Sequence, residues 1–213
     1  MKLELETYLP AEAEEITGVK QTTVRNWRRA GHLPRHQGHA RYNLADMLVM
    51  FVMGMLVSRG MTPEAAKEFS GQTARAIFQS AIHSKQTFSD SVRAEAKAEM
   101  GEIPDDEVAE LKAQIGDGFR LDMIEWARCQ KIMMNAAEQL AGISGVEQPE
   151  WLIVWAHGES QFLYDGDPFE DTFLANTFFS DHSAGPITLF HLDTLAQMVI
   201  ERLPRPAIRL ADQ

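Results

Sequence analysis

The stretch Pro10-Ala11-Glu12-Ala13-Glu14-Glu15-Ile16-Thr17-Gly18-Val19-Lys20-Gln21-Thr22-Thr23-Val24-Arg25-Asn26-Trp27-Arg28-Arg29 decides how the chain is read. Pro10 to Ile16 reads as a short first helix, Thr17-Gly18-Val19 as a tight turn and Gln21 to Arg29 as a second helix. Two short helices with glycine in the turn make a helix-turn-helix. The spacing of Ile16, Val19, Val24 and Trp27 lets these four pack inward. That leaves Gln21, Thr22, Thr23, Arg25, Asn26, Arg28 and Arg29 for the outer face. Such side chains suit base edges and phosphates: Arg to guanine, Gln or Asn to adenine, Thr to phosphate or the thymine methyl. The helix pair alone is a common pattern, and Trp27 fits a core better than a stacking platform.

The charge around this pair narrows its partner. From Ile16 to Ala45 there is no acidic residue, while Lys20, Arg25, Arg28, Arg29, Arg35 and Arg41 all fall inside the stretch. Six of the 20 basic residues are gathered here and none of the 31 acidic ones, in a chain of net charge −11. A cationic island in an anionic protein points to a phosphate polymer. The segment Gly31-His32-Leu33-Pro34-Arg35-His36-Gln37-Gly38-His39-Ala40-Arg41-Tyr42 is punctuated by Gly and Pro and predicts a hairpin wing. Its histidines lack thiolate or carboxylate partners and read as polar wing residues, not metal ligands.

Beyond the wing, Asn43 is placed to cap a helix opened by Leu44-Ala45-Asp46, running to Arg59 and stopped at Gly60. Met47, Met50, Met53 and Met55 in it read as core filling. Thr62-Pro63 opens another helix to about His83, with Ala66, Phe69, Ala74, Ile77, Phe78 and Ile82 apolar and Gly71 a candidate break. Gly18-Val19, Thr23-Val24-Arg25, Gly31 with Leu33-Pro34, Arg41-Tyr42 and Gly60-Met61-Thr62-Pro63-Glu64 together resemble the winged helix-turn-helix DNA-binding domain of the MerR family of bacterial transcription regulators. The resemblance covers about residues 6–72. Excisionase-type winged helices share the first half of the pattern, and the paired helices after the wing favour MerR. One departure is Asn26, where the family usually carries an aromatic, so the phosphate contact made there is not carried over.

On this reading Gln21, Thr22, Arg25 and Asn26 are the candidate base readers. Lys20, Thr23, Arg28, Arg29, Arg35 and Arg41 are the candidate phosphate contacts, with His36, His39 and Tyr42 helping in the wing.

The middle of the chain is acidic and helical. Ser84 to Pro104 reads as a solvated helix or a linker, ended by Gly101 and Pro104. A new helix starts at Asp105-Asp106-Glu107 with Val108, Leu111 and Ile115 on one face, and Gly116 and Gly118 interrupt it. Phe119 to Ala141 resumes with a stripe of Ile124, Ala127, Ile132, Met133, Ala136, Ala137 and Leu140. The MerR resemblance implies that a long helix here pairs antiparallel with its copy, giving a homodimer through Asp105 to Ala141; the interrupted pattern by itself also fits an intrachain helical hairpin. Cys129 stands alone, which excludes an intrachain disulfide and argues against a multi-thiolate metal site.

Gly142 to Pro149 reads as a linker. Trp151 to Trp155 is a short apolar run of the buried-strand type, turned by Gly158-Glu159, with Gln161 to Tyr164 as its partner and Ile187 to Phe190 as a third strand. Asp193 is expected to cap a helix from Thr194 to Leu203, stopped by Pro204. Asp165, Asp167, Glu170 and Asp171 read as loop and helix-start carboxylates. His157, His182 and His191 have no nucleophile pattern beside them, so no enzyme is expected.

The expected fold is therefore mainly α: an amino-terminal MerR-like winged helix-turn-helix over 1–83, a central helical dimerisation region over 84–142 and a small α+β unit over 143–213. The expected function is that of a homodimeric, sequence-specific regulator bound to double-stranded DNA, without cofactor or metal. The resemblance adds RNA polymerase at the promoter as a partner. No apolar run is long enough to span a bilayer and no export signal is seen, so a cytoplasmic, nucleoid-associated place is expected. A phage-type or architectural DNA-binding factor, an excisionase or packaging subunit, and a ligand-sensing regulator using the carboxy-terminal unit remain open alternatives.

Overall fold

The structure, a computed structural model, describes residues 1–34, 40–155, 158–168 and 187–211. In chain order the elements begin with β1 (Leu3–Leu5), α1 (Pro10–Thr17), α2 (Gln21–Arg29), α3 (Leu44–Ser58), α4 (Pro63–Ala81) and α5 (Asp90–Met100). They continue with α6 (Asp105–Ile115), α7 (Leu121–Ala141), β2 (Pro149–Trp155), β3 (Ser160–Tyr164), β4 (Ile187–His191), α8 (Leu192–Ile200) and β5 (Ile208–Leu210). The fold is mainly helical with small sheets, as expected. Two compact units share the chain: Glu6–Ala81 with Gly145–Pro204, and Met1–Leu5 with Ile82–Ser144 and Arg205–Gln213.

The first of these units is built around α3. Its sequence is apolar on nearly every side, and Leu44, Met47, Leu48, Met50, Phe51, Val52, Met53 and Leu56 are all buried, as a helix without a polar face must be. A capping box starts it: Asp46 N–H donates to Asn43 Oδ1 at 3.0 Å and Asn43 N–H to Asp46 Oδ2 at 3.1 Å. Gly60, at φ +96°, turns the chain out of it. Thr62 Oγ1 then accepts from Ala65 N–H, and Pro63 opens α4. Gly71 does not break α4, which runs unbroken to Ala81. α4 packs on both α3 and α8, and Ala76 to Ala81 are buried in succession.

The sheet of this unit is antiparallel, in the order β3-β2-β4, with Leu152 opposite both Phe162 and Phe190. Side chains alternate across a strand, yet β2 is apolar on both faces. Leu152 and Val154 are buried on one, while Ile153 and Trp155 join Leu163 on the other. The helix after β4 differs from the sequence expectation. It begins at Leu192, and the cap is His191, whose Nδ1 accepts from Thr194 N–H. Asp193 lies inside the first turn and accepts instead from Gln148 Nε2 at 3.2 Å.

In the second unit the ends of the described chain pair: β1 and β5 are antiparallel with Leu3 opposite Leu210, and Glu4 and Arg209 form an ion pair across them at 2.5 Å. No local pattern announced this pairing. Ser84 to Pro104 resolves into α5, capped by Ser89 and ended at Gly101. α5 packs on α7, and small residues on both helices, Ala96 and Ala137, are fully buried. Gln130 Nε2 donates to the carbonyls of Ile82 and His83 at 3.1 Å each. The expected stripe on α7 is covered only in part, since Met133 and Ala137 are buried while Ala127 and Leu140 are exposed. α6 buries nothing. An ion pair of Arg128 with Glu107 joins it to α7, and the hydrogen bond from Arg128 holds the Glu107 carboxyl below the usual range.

One close approach in the first unit is testable. A Cβ added at Gly54 would lie 2.6 Å from Val19 Cγ2, and the β-branched Val19 cannot swing aside freely. Gly54→Ala is expected to cost about 1–3 kcal/mol in urea denaturation, with part of the loss recovered on a Val19→Ala background. An undiminished loss in the double variant would refute the clash.

Candidate nucleic-acid interface

The helix-turn-helix forms where the sequence places it. Pro10 opens α1, and Glu12 Oε2 accepts from Leu9 N–H at 2.6 Å. α1 ends at Gly18, whose φ of +72° is left-handed and whose N–H bonds to Glu14 O at 2.8 Å; glycine adopts that conformation at least cost. Thr17 Oγ1 accepts from Val19 N–H at 3.2 Å and so closes the turn. Glu14 Oε2 then accepts from Gln21 N–H at 3.0 Å, serving one of the free donors at the start of α2.

Ile16, Val19, Val24 and Trp27 are buried as predicted. On the opposite side Thr22, Arg25, Asn26 and Arg29 are all exposed. Their spacing of three, one and three residues puts them on one stripe of a helix with 3.6 residues per turn. No carboxylate belongs to α2, and Arg28 and Arg29 occupy its last turn, where cations complement the helix dipole. Lys20, just before the helix, is also exposed, while Gln21 and Thr23 are half-buried at the margins of the stripe.

Arg28 is placed differently from its neighbours. It is half-buried, and its Nη1 donates to the Tyr42 hydroxyl at 2.8 Å with the guanidinium 4.9 Å from the Tyr42 ring centroid. Tyr42 itself is only 5% exposed. Its backbone forms an antiparallel bridge with Tyr8, with N–H to carbonyl distances of 2.8 and 3.0 Å. Arg28 and Tyr42 thus join the end of α2 to the chain that leaves the wing, and they act through each other. Sequence reasoning missed Tyr8, which is fully buried; only its distance from Tyr42 along the chain hid it. After α2 the chain turns at Gly31, φ +81°, and His32 Nδ1 lies 3.1 Å from Glu64 Oε2 on α4. Leu33 is buried, and Arg41 is exposed.

Three wing candidates, Arg35, His36 and His39, lie outside the described residues, as do His157, Glu170, Asp171 and His182. Asp167 of the acidic cluster accepts from Tyr164 N–H at 2.9 Å and closes a turn after β3. Cys129 lies 3.7 Å from Met100 Sδ, between α7 and α5.

A short scaffold helix, a glycine turn and a second helix with a cationic, acid-free outer stripe define a helix-turn-helix DNA-binding domain. Residues 8–72 match the family model described as MerR HTH family regulatory protein. The amino-terminal segment is a MerR helix-turn-helix domain, and such a domain marks a DNA-binding transcription regulator. No curated protein matches the chain. No helix among the described residues is long and apolar enough to cross a membrane.

The contact between Arg28 and Tyr42 predicts a coupled pair. In a double-mutant cycle of Arg28→Ala and Tyr42→Phe, chemical denaturation is expected to give an interaction energy of about 0.5–1.5 kcal/mol. Additive losses would show that the pair contributes nothing.

Proposed function

We propose that this protein is a homodimeric, sequence-specific regulator of transcription that reads duplex DNA with α2. The observation that carries the reading is the exposed stripe of Thr22, Arg25, Asn26 and Arg29, a single helical face of hydrogen-bonding side chains free of acidic residues. A face of that shape and charge fits the major groove. Thr22, Arg25 and Asn26 read bases, and Gln21 assists from the margin. Lys20, Arg29 and Arg41 contact phosphates, together with Thr23 and the wing residues Arg35, His36 and His39. Arg28 and Tyr42 serve this surface by fixing the exit of α2. The acidic remainder of the chain is repelled by DNA and so restricts which face docks.

The dimer is supported by apolar surface that the chain leaves uncovered. Ile115 is 49% exposed, Met123 57% and Trp126 58%, with Leu121 beside them in sequence. Val108, Leu111 and Ile115 form a stripe along α6, which buries none of its residues. Uncovered patches of this kind mark interaction sites, and a second copy places two reading helices on half-sites about one helical turn, roughly 34 Å, apart. RNA polymerase at the bound promoter is the partner that the MerR domain implies.

Selection of bound duplexes from a random-sequence pool, followed by genomic footprinting, tests the reading; recovery of no preferred sequence would overturn it. On the selected duplex, Arg25→Ala is expected to lower discrimination against a scrambled sequence by about 1–3 kcal/mol. Arg41→Ala should weaken both duplexes alike and flatten the salt dependence by about one unit. Identical behaviour of the two variants would refute the division of roles. Trp126→Glu is expected to sediment as a monomer; a variant that stays dimeric would move the interface elsewhere.

A further inference from the structure

The last turn of α1 holds no basic residue of its own. Its terminal carbonyls carry the partial negative charge of a helix end and need donors. One donor arrives from 186 positions along the chain: Arg202 Nη1 bonds to the Ile16 carbonyl oxygen at 3.1 Å. Ile16 is fully buried, and two residues later the chain turns at Gly18 to enter the reading helix.

Arg202 stands on a firm base. It follows α8 in a turn whose N–H groups at Glu201, Arg202 and Leu203 bond to the carbonyls of Gln197, Val199 and Ile200. α8 packs on α4. Gln148 Nε2 lies within hydrogen-bonding distance of both Ser80 Oγ on α4, at 3.1 Å, and Asp193 Oδ1 on α8, at 3.2 Å. The scaffold helix of the helix-turn-helix is therefore held at its exit by a group anchored on the carboxy-terminal sheet and helix.

We propose that Arg202 is a positioning residue for DNA recognition and that α8, with the turn that carries Arg202, acts as a brace for the reading head. This rests on the DNA-binding reading given above. The guanidinium fixes the Ile16 carbonyl, the carbonyl fixes the entry to the Gly18 turn, and the turn sets the angle at which Thr22, Arg25 and Asn26 meet the groove. Base readout demands tighter placement than phosphate attraction, so loss of the brace falls on specific binding. Arg202 is exposed, so its removal empties no core.

The test uses the full chain, the duplex selected from the random pool and a scrambled duplex, with fluorescence anisotropy over a salt series for wild type, Arg202→Ala and Arg202→Lys. The alanine variant is expected to lose about five- to tenfold affinity for the selected duplex, with scrambled-duplex affinity and salt slope unchanged. Lysine, which still donates to a carbonyl, should restore most of the loss. Thermal melting of each variant shows whether it is folded at the assay temperature. Equal weakening on both duplexes with a shallower salt slope would make Arg202 a phosphate contact and overturn the proposal. Unchanged selective affinity, or a loss matched by the unfolded fraction, would overturn it too. A wild-type protein that binds neither duplex would instead sink the DNA-binding reading itself.

Discussion

The helix-turn-helix unit depends on the burial of α3. A helix with no polar face has to be enclosed, and every neighbour in that unit is arranged to enclose it: α1 and the Val19 turn on one side, α4 on another. Gly54 matters for the same reason. Only a residue without a side chain lets the turn between α1 and α2 come this close to the α3 backbone, so the placement of α2 is set by a hydrogen atom where other residues carry carbon.

The outer stripe of α2 follows from that enclosure. Once Val24 and Trp27 are committed to the core, the helical period leaves Thr22, Arg25, Asn26 and Arg29 outward. Arg28 falls between the two sides, and its half-buried guanidinium is engaged by Tyr42. Six basic residues near one helix are thus not six equal contacts. A cation on the flank of a helix is available to a partner only if nothing in the chain has taken it.

Local signals were legible in the sequence because the physics behind them is local. The Asn43 cap, the glycines at 18 and 60, and the continuous apolar run through β2 act over a few residues, and each appears in the structure at its expected place. His191 took the capping role assigned to Asp193 because an imidazole nitrogen accepts as well as an oxygen does, and the usual preference for Asp hides that option. The long-range partners, Tyr8 with Tyr42, β1 with β5 and Arg202 with Ile16, leave no periodic trace. In the candidate site, the inward residues of α2 and the outward arginines could be read from spacing, whereas the capture of Arg28 depends on a tyrosine whose burial is a tertiary fact.

Both units are interrupted along the chain. The flank of α4 stays bare until α8 has left the ribosome, and β1 stays unpaired until β5 follows. Each unit therefore closes only once its later segment has been made, with apolar helix surface standing open in the interval, a situation in which slow closure of distant contacts invites chaperones. A fragment ending near residue 83 would keep the whole of α2 yet lack the wall that α8 builds against α4, leaving the helix-turn-helix unit with one side missing.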